Sequence, residues 1–225
     1  MVAMADHLLD ISGPARQLTT QLTEEHVSLL IRQIKALEPN YGPAILAFPT
    51  TPAGQVNLVN YLRMERAAAF YRARGELRPL QVEIIRFLQK RTSEAYDRGV
   101  KSYNLGRLST NLSREEAIGN FIDKDVRQQL RELYNNHGIE TSKIGPIRII
   151  GREYDSSGND LTYRIPDARI GDTMIDITLS RKTISSRQIR GFFNSDMNPK
   201  SVVIVRPRQV GNDSVYMIIK PGKQK

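Results

Sequence analysis

Apolar residues recur at helical spacing through the first 138 positions of this chain and at strand spacing afterwards. The segment TEEHVSLLIRQIKALEPN carries Val27, Leu30, Ile31, Ile34 and Leu37 on one stripe, with Thr23 as its expected cap and Pro39 as its stop. A second helix is predicted from Gln55 to Arg74, closed by Gly75, and a third after Pro79 through Val82, Ile84, Ile85 and Leu88 towards Gly99. Between the first two, NYGPAILAFPTTPAG is rich in Pro and Gly and reads as a loop. The polar stretch SYNLGRLSTNLS, Ser102 to Ser113, marks the expected linker. Ser113 and Glu116 then stand in capping-box spacing, ahead of a helix through Ile118, Phe121, Ile122, Val126, Leu130 and Leu133 to Gly138.

Beyond Gly138 the period changes. KIGPIRIIGREY and DLTYRIPD flank SSGN, a hairpin signal, and TMIDITLS follows a short turn expected at Ala168 to Asp172. Ser185 or Ser186 caps a helix, RQIRGFFNSDM, and the apolar strands SVVIVRP and SVYMIIKP close the chain. The order is helix, three strands, helix, two strands. The fold class is therefore α+β, with a helical region over 1–110 and a second domain over 111–225.

At 225 residues the chain can bury a full core, and 40% hydrophobic with 25% charged residues is ordinary for a globular protein. No run approaches the roughly 18 apolar residues that span a bilayer, so no membrane-spanning segment is expected. The absence of Cys excludes disulfides, thiolate zinc sites and cysteine nucleophiles, and three scattered histidines argue against a His-rich metal site. Gly-rich phosphate loops, nucleophile elbows and kinase signatures are missing too. Net charge is +9, and its location matters more than its size. From Arg181 to Lys225 there are ten Lys or Arg against the two acids Asp196 and Asp213. A one-sided basic surface concentrates phosphate backbones, although a solvated face with a basic tail has the same composition. YLRMERAAAFYRAR is read as an amphipathic helix with Arg on its wet face, and Glu132-Leu133-Tyr134-Asn135 as ordinary helix with Leu133 in the core.

The candidate chemistry lies between Tyr163 and Arg190. A hairpin of the first two strands would put Asp167 near the segment leading into Lys143 to Ile147, where Glu140 joins it. The third strand would return Asp176 towards Asp167, with Asp176 and Thr178 on one face. Converging carboxylates repel one another unless a cation neutralises them, and oxygen-only ligands suit Mg²⁺ or Mn²⁺. Such an ion could activate water at a phosphodiester. The bland alternative makes Asp167 a turn residue and Asp176 a surface acid.

Pro166-Asp167, eight residues, then Asp176-Ile177-Thr178, in an α-β-β-β-α-β order, resemble the PD-(D/E)XK nuclease superfamily of restriction endonucleases and related toxins, over about Ser113 to Pro221. Within it the chain is similar to the C-terminal toxin domains of bacterial contact-dependent growth inhibition systems, some of which cut transfer RNA. The resemblance implies a restriction-endonuclease-like α-β-β-β-α-β-β nuclease domain, with Asp167 and Asp176 as metal-binding acids and Glu140 as the third, Asp123 being the alternative. The family's motif lysine would fall at Thr178. The nearest replacement, Lys182, lies ~13 Å further along an extended strand and serves only if that strand ends early. Gln188 matches a polar position found beside such sites, and Arg187 and Arg190 join it as expected substrate-binding residues. The implied substrate is tRNA in preference to DNA, and the implied partner is an acidic immunity protein. The implied setting is the C-terminal part of a secreted or cell-surface bacterial protein acting in the target-cell cytoplasm, a cytoplasmic enzyme being the alternative. A restriction-type DNase and a non-catalytic nucleic-acid or partner-binding protein remain open beside it.

Overall fold

Gly13–Leu37 forms the first helix, α1, in a computed structural model that describes residues 13–42, 47–142, 145–155 and 163–222. Thr23 is therefore mid-helix rather than a cap, and its hydroxyl donates to the Thr19 carbonyl at 2.8 Å. Pro14, tolerated in a first turn, is the only proline before Pro39, so nothing forces a later start. Helix α2 (Pro52–Arg74) starts on Thr51, whose hydroxyl accepts the Gly54 N–H at 3.2 Å, and closes on Gly75 at φ 69°. Val27, Leu30 and Ile34 of α1 pack with Leu62 and Ala69 of α2. Arg72 of α2 reaches Glu38, the residue after α1, at 2.6 Å, and pairs within its own helix with Glu65 at 2.7 Å.

Helix α3 (Arg78–Asn104) buries Leu80, Ile84, Leu88, Thr92 and Ala95, a spacing of four and then three that leaves Val82 41% exposed. By packing, the chain divides into units 1–83 and 84–225, a division that falls within α3. Residues 105–113, the end of the polar stretch read as a linker, form the connection from α3 to α4 (Arg114–Asn136). The Ser113–Glu116 capping box is present at the head of α4. Its buried stripe is Ile118, Ile122, Val126, Leu130 and Tyr134. The i+4 phase thus carries Tyr134 inward, and Leu133, expected in the core, is only half-buried.

The second unit holds a mixed five-stranded sheet in the order β1-β4-β5-β6-β7, with a two-stranded β2–β3 ribbon beside it. The strands are β1 (Ile147–Ile149), β2 (Glu153–Tyr154), β3 (Tyr163–Arg164), β4 (Ala168–Ile170), β5 (Thr173–Ile177), β6 (Ser201–Val205) and β7 (Val215–Ile219). The first predicted strand is thus broken in two, the second keeps only β3, and β4 forms where the turn was expected. Ile150 at φ 51° ends β1, an unfavourable conformation for a β-branched residue, and Pro166, which has no N–H, lies between β3 and β4. The SSGN turn lies outside the described residues. Pairing of Ile170 with Thr173 shortens the turn expected at Ala168 to Asp172 to Gly171 and Asp172, with Gly171 at φ 61°.

Strand β5 pairs with β6 in parallel, and the short helix α5 (Arg187–Phe193) makes the crossover. A seven-residue helix is too short to hold its shape unaided. Ile189, Phe192 and Phe193 fix it against Met174, Val202 and Ile204, each such buried side chain contributing about 1.5–3 kcal/mol. The fold is thus α+β, helical in its N-terminal part with a mixed sheet in its C-terminal part. Among the described residues no helix is long and apolar enough to cross a membrane.

Candidate functional site

The two-residue turn at Gly171 and Asp172 fixes what β4 and β5 set opposite one another. Ala168 pairs with Ile175 at the end of the ladder, and the Asp167 N–H donates to the same Ile175 carbonyl at 3.0 Å, a bulge-like step that leaves Asp167 just outside the ladder and beside Ile175 and Asp176. Met174 and Asp176 alternate onto the α5 face, and Met174 packs there, so Asp176 is carried inward beside the apolar cluster. Both acids are buried, at 6% and 3% exposure.

Their surroundings differ. Asp167 Oδ2 accepts the Ile177 N–H at 2.7 Å, and Oδ1 accepts from Arg127 Nη2 of α4 at 3.1 Å. The same Arg127 nitrogen lies 2.7 Å from Asp123, which also hydrogen-bonds Asp167. Asp176 Oδ1 accepts from Gln188 Nε2 at 2.7 Å, while its buried Oδ2 has no hydrogen-bond partner among the described residues. Burial pushes the Asp167 carboxyl up to about 8, helped by the negative charge of Asp176 and by Asp123. Burial likewise raises Asp176, to about 6, against the opposing pull of the Lys182 ammonium and the Gln188 hydrogen bond.

Lys182 therefore acts on Asp176 across the distance that an extended strand would have opened. Strand β5 stops at Ile177, and the Tyr216 hydroxyl of β7 holds the Lys182 backbone, accepting its N–H at 2.7 Å and donating to its carbonyl at 2.9 Å. Thr178, at the motif-lysine position, has its hydroxyl 3.2 Å from that of Ser180. Beside Gln188 opens a cavity of about 520 Å³ lined by Arg164, Arg181, Lys182, Arg187 and two serines. Arg187 and Gln188 thus stand together at the site. Arg190, exposed on the same helix, is not among the cavity's lining residues.

Glu140 takes a different place from the one expected. Its segment leads into the Ile147 end of β1, where the Ser142 N–H meets the Ile147 carbonyl at 3.3 Å, and that end pairs with Ile170. Asp167 lies at the other end of β4, where its carbonyl accepts the Ile150 N–H at 3.3 Å. Because β4 continues past Pro166-Asp167 to Ile170, the hairpin sets Glu140 and Asp167 at opposite ends, and Glu140 is exposed. Asp123 occupies the position beside the pair instead. Arg127, Arg164 and Tyr216 were not among the residues the sequence singled out. Nothing in their local spacing separates them from ordinary surface or core positions.

Among the described residues no three His, Asp or Glu side chains form a group able to hold a metal ion. A donor pair still fits Mg²⁺, which is commonly bound through one or two carboxylates while keeping water and substrate phosphate as its remaining ligands. The unpartnered Oδ2 of Asp176 and the mutual repulsion of the two acids are what such an ion would satisfy. No protein-family model, curated protein or solved structure matches the chain.

Proposed function

We propose that the chain is a divalent-metal-dependent endonuclease, with Asp167 and Asp176 holding Mg²⁺ or Mn²⁺ and Lys182 replacing the lysine missing at Thr178. The observation that carries this reading is the buried Oδ2 of Asp176, without a hydrogen-bond partner among the described residues and beside a second raised-pKa acid. A buried polar atom left without a partner costs about 1–3 kcal/mol, and clefts built for catalysis keep such atoms for a ligand. When bound, the ion would supply charge neutralisation and an activated water at the phosphodiester. The chain's own residues do the rest. Gln188 orients Asp176, the Ile177 N–H and Arg127 orient Asp167, and the Lys182 ammonium supplies positive charge where phosphate charge develops.

The basic cavity beside the acids supports a polyanionic substrate, and the family resemblance favours tRNA over DNA. It also supports a toxin role in competition between bacteria, with an acidic immunity protein as the partner that protects the producing cell. Purified protein is expected to cut total tRNA with Mg²⁺ and to lose that activity in EDTA or on Asp176→Ala. Plasmid DNA assayed alongside separates the restriction-type alternative. Undiminished cleavage by the Asp176→Ala protein would overturn the assignment.

One observation favours a second reading. Arg127 bridges Asp123 and Asp167, giving the acids a permanent counterion within the protein. A non-catalytic nucleic-acid-binding protein would keep such a cluster without using a metal. It would bind RNA with a steep salt dependence and form no products at any Mg²⁺ concentration.

A further inference from the structure

The 520 Å³ cavity beside Gln188 has four cationic side chains and no acid in its lining. Arg181 has a partner outside it, exposed Asp213 at 3.3 Å, but among the described residues no salt bridge engages Arg164, Lys182 or Arg187. Cations that converge on one opening attract an anion into it, and among the described residues only Arg181, through Asp213, and Lys182, through the charge of Asp176, act on an acid of these four. The route by which Arg164 arrives makes the cavity more than a solvated surface. Arg164 comes from β3, outside the main sheet, and lies across α5 at Gly191. A Cβ at Gly191 would fall 2.5 Å from Arg164 Nε and 2.9 Å from its Cγ. Glycine weakens a helix interior, and here the space it leaves is filled by the arginine stem. Arg164 Nη1 also donates to the Tyr163 carbonyl at 2.8 Å, which further orients the guanidinium.

We propose that this cavity is a phosphate subsite for a backbone phosphodiester of a bound nucleic-acid strand, and that Gly191 is the gap through which Arg164 reaches it. The inference rests on the reading of the Asp167–Asp176 pair as a phosphodiester-cleaving site. Gln188 joins the two, since its amide lines the cavity and donates to Asp176 Oδ1. A strand phosphate held by Arg164, Lys182 and Arg187 therefore lies one side chain away from the acids. The planar guanidinium fork matches phosphate oxygens in a way an ammonium does not, so the two arginines fix orientation while Lys182 supplies charge.

The test uses the full chain carrying Asp176→Asn, without divalent ion, and measures binding of a short single-stranded RNA, with and without a 5′ phosphate, across a salt series. Arg164→Ala is expected to reduce the salt slope by about one. Gly191→Ala is expected to do the same although it removes no charge, with a thermal midpoint equal to or above the parent's. Lys101→Ala, an exposed cation elsewhere, is expected to leave the slope unchanged. Parental binding by the Arg164→Ala and Arg187→Ala proteins would overturn the subsite and leave these cations to an acidic protein partner. A loss with Arg164→Ala but none with Gly191→Ala would overturn the role of the glycine. Affinity that depends on the 5′ phosphate would overturn the backbone assignment. Because binding is read without cleavage, failure of the parent protein to cut RNA would sink the nuclease reading and leave this result standing.

Discussion

Asp167 and Asp176 lie close together at the open end of the β4–β5 hairpin, where the charge of Asp176 raises the Asp167 carboxyl, but they are held unequally. Asp167 is pinned by the Ile177 N–H and Arg127, whereas Asp176 takes one hydrogen bond from Gln188 and leaves Oδ2 without a partner among the described residues. This asymmetry separates the roles within the proposed site. Asp176 has a coordination position to give, and Asp167 supplies the neighbouring charge that makes giving it favourable.

Burial raises both pKa values, so each carboxyl favours the folded state most while protonated. That contribution is fully present below the ordinary carboxylate pKa of about 4 and is lost as pH rises through about 6 for Asp176 and about 8 for Asp167. In the absence of divalent ion the thermal midpoint is expected to fall between about pH 4 and about pH 8. The Asp167→Asn, Asp176→Asn double variant is expected to lose most of that slope. The same slope in parent and variant would place the titrating groups elsewhere.

In the proposed site Gln188 would act on the ion through Asp176, to which it donates a hydrogen bond. Outer partners of this kind orient a ligating oxygen, and their removal weakens metal binding about 10- to 100-fold. Gln188→Ala is expected to lower Mg²⁺ affinity by that factor, read from the Mg²⁺-dependent rise in thermal midpoint. Unchanged affinity would mean that Gln188 only packs against the strand.

Tyr216→Phe removes the hydroxyl that both accepts from and donates to the Lys182 backbone. Two hydrogen bonds at about 0.5–1.5 kcal/mol each set the expected loss of stability by urea titration. Because the Lys182 ammonium opposes the rise in the Asp176 pKa, a loosened Lys182 is expected to let that pKa climb and to slow cleavage at neutral pH. A variant that is less stable but cuts at the parental rate would remove Lys182 from the mechanism.

Much of this arrangement could be read along the chain where a local rule decides it. The Ser113–Glu116 box, the Gly75 stop and the wholly buried β6 follow from capping chemistry and apolar runs, and the structure contains all three. The spacing of Asp167 and Asp176 was also legible, because a short turn must bring positions equidistant from it together. Register was not. Nothing in the hydropathy of KIGPIRIIGREY announces that Ile150 adopts φ 51°, and reading DLTYRIPD as a strand that ends at Asp167 moved Glu140 towards it. One strand continuing to Ile170 reversed that placement and brought in Asp123, which lies on a helix whose phase alone could not choose between them. Arg164 and Tyr216 belong to the same class, since their roles depend on elements far apart in sequence.

The register of the acids depends on the turn. Inserting one glycine between Gly171 and Asp172 moves every residue of one strand relative to the other or forces a bulge, and a one-residue slip turns alternate side chains to the opposite face. Cleavage and Mg²⁺-dependent stabilisation are both expected to disappear together. Deleting Ala168 as well restores the eight residues between the acids, so activity is expected to return at least in part, whereas full activity in the insertion variant alone would contradict the arrangement described.

Arg127 separates the metal-dependent reading from the binding-only one. Its Nη2 lies 2.7 Å from Asp123 and 3.1 Å from Asp167, and because Arg127 and Asp123 are partly exposed, the cost of removing it falls chiefly on the charge left at buried Asp167. In Arg127→Met, Asp167 can relieve part of that cost by holding its proton, so the loss of stability is expected to be small at pH 5 and larger at pH 8. If the acids are built for a divalent ion, the ion can take over the neutralisation that Arg127 gave. Mg²⁺ is then expected to restore the pH 8 thermal midpoint of the variant by more than it raises that of the parent. If the guanidinium is instead the permanent counterion of a non-catalytic cluster, the variant stays destabilised at every Mg²⁺ concentration, and RNA binding persists without products.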